Sequence, residues 1–159
     1  MPKKFKWEIK ELSAGNSLKE SARLILQQRL KTLNSAIKIF FEEETVDNLH
    51  QVRIALRRLR YNMEIFISCF NKTKFINFYE LVEHLQDLTG SKRDLDVLTD
   101  SIKIICNGEM DSKINSVLEK IGEKNKELTA SLILELMKFT HSRELKEFTK
   151  MIILRRKSL

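Results

Sequence analysis

Apolar residues recur along the chain at intervals of three and four, the spacing that gathers them on one side of an α-helix. Leu18, Ala22, Ile25, Leu26, Leu30, Leu33, Ile37 and Phe40/Phe41 form the first series. Asn16 or Ser17, with Glu20 close behind, supplies a start signal, so the first helix is predicted from about residue 17 to 43. Thr45 to Asp47 restarts the pattern, and Leu49, Val52, Leu56, Leu59, Met63, Phe66 and Phe70 carry a second helix that stops near Asn71. A third begins near Lys74 and runs through Leu81, Val82, Leu85 and Leu88. Gly90 is a point at which it kinks or ends. Leu95, Val97, Leu98, Ile102 and Ile105 continue the pattern to Cys106, ahead of the breaker Asn107-Gly108. A fourth helix, about Asp111 to Phe139, is marked by Ile114, Val117, Leu118, Ile121, Leu128, Leu132 and Leu136. After a boundary at His141-Ser142, a short helix from Glu144 to about Ile153 leads into the basic tail Arg155-Arg156-Lys157. No stretch alternates as a strand does. Four long helices with short joints predict an all-α, antiparallel four-helix bundle plus a short C-terminal helix. Residues 1–15 form a basic lead-in, and residues 16–159 a single domain.

Composition sharpens this. The 159 residues include only four Gly and one Pro, too few for a turn-rich β fold, and 42% are apolar. The net charge of +7 favours an anionic partner, either nucleic acid, a membrane surface or a phosphate polymer. Cys69 and Cys106 stand apart, with no metal-ligand spacing, and are expected as buried reduced thiols. The basic N-terminus is followed by no apolar run of a secretory signal, and no stretch reaches the length of a membrane span. A cytoplasmic protein is therefore expected.

The candidate chemistry lies in the second helix. With His50 at 0° on an ideal helix, Arg53, Arg57 and Arg60 fall at about 300°, 340° and 280°, while the apolar positions occupy roughly 160–260°. The basic stripe thus borders the core face. No Asp or Glu occurs between Asp47 and Glu64, and Arg58 points elsewhere. Like charges at helical spacing repel, so the row calls for anionic neighbours. These are either carboxylates such as Glu42, Glu43, Asp94 or Asp96, which would make the arginines structural, or an external anion. Guanidinium forks suit a repeating phosphate chain, and His50 adds a pH-sensitive donor.

His50-x-x-Arg53-x-x-x-Arg57-Arg58-Leu59-Arg60, followed by Gly90-x-x-Arg93-Asp94-Leu95-Asp96-Val97, resembles the CHAD domain, the conserved histidine α-helical domain. The resemblance implies a fold of two related helical bundles and a basic groove that binds inorganic polyphosphate, in some members at polyphosphate granules. By the same resemblance His50, Arg53, Arg57, Arg58 and Arg60 belong to the binding set, joined by Arg93 and its neighbour Lys92. Asp94 and Asp96 would orient arginines or cap a helix. One copy of the basic block is present, so the chain corresponds to one half of such a domain. A homodimer is the expected way to complete the groove.

The leading expectation is a non-catalytic polyphosphate-binding module without cofactor or metal. A nucleic-acid-binding protein is the alternative, although the stripe lies beside the core and only Tyr61 is at hand to stack a base. A helical adaptor with its arginines neutralised internally is a third reading. Catalysis is not expected, because no Gly-rich phosphate loop or carboxylate cluster occurs, and His84 and His141 lack ligand partners. His84, in an apolar run, is expected to be structural.

Overall fold

The computed structural model describes Ile9, residues 11–106 and residues 111–153. The expected tail Arg155–Lys157 and the breaker Asn107-Gly108 lie outside the described residues. Helix α1 (Leu18–Glu42) opens on a complete capping box. The Ser17 hydroxyl accepts from the Glu20 amide, and the Glu20 carboxylate accepts from the Ser17 amide at 2.9 Å. Thr45 caps α2 (Val46–Phe66) and Asn71 caps α3 (Lys72–Ile105), each accepting from the amide three residues on. Asp111 and Ser142 do the same for α4 (Ser112–His141) and α5 (Arg143–Ile152). Each start thus satisfies a backbone donor that the helix leaves orphaned.

Two expected helix boundaries need correction. The second helix stops at Phe66 rather than near Asn71. A single 3-10 turn, Ile67–Cys69, follows, and Asn71 is used as the cap of α3. Gly90 does not end α3, which runs on through it for 34 residues. A helical glycine costs about 1 kcal/mol against alanine, and packing of α3 against α2, α4 and α5 outweighs it.

Helices α1 and α2 form a hairpin, α3 lies along α2, α4 folds back on α3, and α5 crosses to seal α1 and α3. The core draws on all five: Leu26 and Leu33, Leu56 and Met63, Phe75 and Phe78, Leu132 and Leu136, and Phe148 are fully or almost fully buried. Phe148 of α5 stacks on Phe78 with ring centroids 4.1 Å apart and meets Phe75 edge-on at 5.7 Å. The thiols Cys69 and Cys106 are half-buried, not fully enclosed as expected.

The bundle is stepped. Helix α3 is about 51 Å long and α2 about 31 Å. The buried residues of α3 end at Lys92, and those of α4 begin only at Leu132. Beyond that level α3 and α4 continue as a two-helix overhang. Apolar positions there that the periodicity assigned to a helix face are left exposed, among them Val97, Leu98, Ile105 and Val117.

Candidate anion-binding cleft

Leu49, Val52, Leu56, Leu59 and Met63 anchor α2 in the core. That pins the rotation of the helix and turns the basic stripe toward the seam with α3. There Arg53 and Arg57 form one wall of a cleft of about 340 Å³, and Gln86, Asp87, Gly90, Ser91 and Asp94 of α3 form the other. Gly90 keeps that wall low: a methyl group built on it meets no atom within 4 Å. The cleft continues past Arg53 into a narrow crevice that His50 and Val46 share with Thr89, Arg93 and Asp96. The two sequence blocks therefore meet across a single seam.

The cations differ sharply in their partners. Arg60 is consumed internally: its Nε donates to Glu64 Oε1 at 3.1 Å and to the Tyr79 hydroxyl at 2.9 Å, and its Nη2 lies 3.0 Å from Glu83 Oε1. Tyr79 in turn donates to Glu64 at 2.8 Å, and the Arg60 guanidinium sits over its ring, 5.5 Å from the centroid. The hydrogen bond to Tyr79 holds Arg60 above its ordinary pKa against partial burial. Burial and the hydrogen bond to Glu64 raise the Tyr79 phenol. Lys92 is buried, with Nζ 2.7 and 2.9 Å from the two oxygens of Asp96, which also accepts from Asn125 at 2.9 Å. Asp96 thus links α3 to α4 through Asn125, and Lys92, on the same helix as Asp96, neutralises it there.

Arg53, Arg57, Arg58 and Arg93 have no carboxylate within ion-pairing distance among the described residues. Glu42, weighed above as a neutralising partner, pairs instead with Lys38 at 3.8 Å. Asp96 is held by Lys92, and Asp94 lines the cleft without closing on an arginine. Neither aspartate caps a helix, since both lie inside α3. Arg53 and Arg93 are half-buried, Arg57 and His50 are exposed, and Arg58 is exposed without lining the cleft. The Arg53 Nε and the Gln86 Oε1 are buried without hydrogen-bond partners among the described residues, a costly state for either group. Gln86 was not singled out from the sequence. Its one signal is a position four residues before Gly90, on the same helix face.

His84 is not a core residue. Its side chain is 55% exposed, and Nε2 lies 3.9 Å from Glu135. Among the described residues no three His, Cys, Asp or Glu side chains converge in a way that would hold a metal ion. None of the described helices is long and apolar enough to cross a membrane.

The family model of the CHAD domain matches residues 3–103. That span includes α1, α2 and nearly all of α3, so it holds both walls of the cleft. No curated protein and no solved structure matches the chain.

Proposed function

The chain belongs to the CHAD domain family, and from that premise we propose that it is a non-catalytic module that binds inorganic polyphosphate in the α2–α3 cleft. CHAD domains are associated with polyphosphate binding. The observation that carries the reading to these residues is the contrast among the cations. Arg60 and Lys92 are neutralised inside the fold, whereas Arg53, Arg57 and Arg93 line one seam with no carboxylate of the described residues paired to them.

A phosphate chain lying in the seam would accept hydrogen bonds from Arg53 and Arg57 on α2 and from Arg93 on α3. His50 stands at the crevice end of the seam, near Arg93, where its ring can add a further hydrogen bond. Arg58 contributes long-range attraction only, from its position outside the cleft. Attraction of this kind releases counterions condensed on the polymer, so affinity falls with salt. No step of bond making or breaking is assigned to the cleft. The same reading places the protein in the cytoplasm, with stores of the polymer.

The test is a polyphosphate titration of the wild type and of an Arg53→Ala/Arg57→Ala double variant. Loss of most binding with unchanged helicity is the expected result. A double variant that binds as the wild type does would remove the cleft as the site. Competition by duplex DNA at equal phosphate concentration separates the nucleic-acid reading. DNA is expected to compete poorly, because a half-buried seam admits a thin flexible chain and not a duplex.

A further inference from the structure

We propose that a second copy of this chain docks antiparallel on the overhanging part of α3, about a two-fold axis through Ser101. Five residues carry the proposal: Val97, Leu98, Ser101, Ile104 and Ile105. The last two are 76% and 80% exposed, the highest values among the exposed large apolar residues described, and Val97 and Leu98 are 44% and 45% exposed. With Leu95 at 0° on an ideal helix, the five fall between about 180° and 300°. They make one strip, left uncovered where α2 ends.

The order of the strip points to the occupant. Around Ser101 the apolar residues sit at −4, −3, +3 and +4. A strip with that symmetry is complementary to itself when a second copy runs the opposite way: Val97 of one copy meets Ile105 of the other, and Leu98 meets Ile104. The small Ser101 stands at the crossing, where two helices approach most closely. An unrelated partner has no need of such symmetry, whereas an isologous contact requires it.

The outline of the molecule fits as well. Val46, the first residue of α2, shares a crevice with Arg93 and Asp96, so α2 ends level with them. From there α3 runs on to Ile105, roughly 14 Å further. Antiparallel pairing lays each overhang into the step left by the other copy's α2. It also continues the cleft. Gln86, Asp87, Gly90 and Asp94 fall in the same arc of α3 as the strip, so each overhang would come to rest at the open mouth of the other copy's cleft. Extension of the anion site across two copies rests on the function proposed above, but the pairing itself does not.

A strip this short covers less than the roughly 800 Å² per partner of a standard interface, so dissociation in the micromolar range is expected. Sedimentation of the full chain from 1 to 100 μM should show a monomer–dimer equilibrium. A Leu98→Glu/Ile104→Glu variant, altered at exposed positions, should stay monomeric over that range with unchanged helicity. In a Cys69→Ser/Cys106→Ser background, Ser101→Cys should oxidise to a disulfide-linked dimer, and Lys103→Cys, on the opposite side of α3, should not. A wild type that is monomeric at 100 μM, a dimer that survives the double glutamate change, or equal cross-linking at positions 101 and 103 would overturn the proposal. Titration of a short polyphosphate into the glutamate variant reads the cleft separately from the pairing.

Discussion

Arg53 and Arg60 are two guanidiniums on one helix face with opposite employment. Arg60 is enclosed by Glu64, Tyr79 and Glu83, so Arg60→Ala should cost about 1–3 kcal/mol of stability in denaturant unfolding and change polyphosphate affinity far less than Arg53→Ala. Tyr79→Phe, which removes the hydroxyl shared by Arg60 and Glu64, should cost about 1 kcal/mol. The phenol is raised in the folded state, so its contribution is fully present below its ordinary value of 10.0 and fades as pH climbs through the raised one. The melting-temperature gap between wild type and Tyr79→Phe should therefore hold steady to that pH and narrow beyond it. Asp94 stands in the cleft without an ion pair among the described residues, where its charge would oppose a phosphate chain. Asp94→Asn should tighten polyphosphate binding about two- to fivefold at low salt. A weaker complex would mean that Asp94 orients an arginine instead. The stripe was visible on a helical wheel because all its members share one helix. The fate of Arg60 was not, since Tyr79 and Glu83 belong to α3 and no local spacing links them to α2.

At the level of elements, the helix starts were the most readable feature, because each depends on a side-chain oxygen accepting from an amide three residues on. Ser17→Ala removes the hydroxyl that accepts from the Glu20 amide, leaves the residue-17 amide still able to donate to Glu20, and should lower stability by about 1 kcal/mol in thermal unfolding. Gly122 lies inside α4, and a methyl group built there meets no atom within 4 Å. Gly122→Ala should raise stability by about 0.5–1 kcal/mol, measured by the same unfolding. The unbroken course of α3 through Gly90 was less legible. A breaker costs a fixed small amount locally, and what offsets it is burial against helices distant in sequence. The overhang was beyond reach for a related reason. A period of three and four residues shows that one side of α3 is apolar, but not that α2 is too short to cover it.

The whole molecule governs how a charged polymer is met. On the proposed reading three cleft arginines would release roughly two to three counterions, so raising monovalent salt from 50 to 200 mM should weaken polyphosphate binding about 15–60-fold by titration. A flat response would mean that contact is not made through the arginines. The family match stops at residue 103, yet the fold does not close there. Phe148 of α5 stacks on Phe78 and meets Phe75, and Leu132, Leu136 and Phe139 of α4 complete the same interior. Excision at the edge of the matched stretch would strip two aromatic rings and much of an aliphatic floor of their cover. Such a fragment would clump in solution instead of reporting on the cleft, so dissection of this protein has to keep the chain through Ile152.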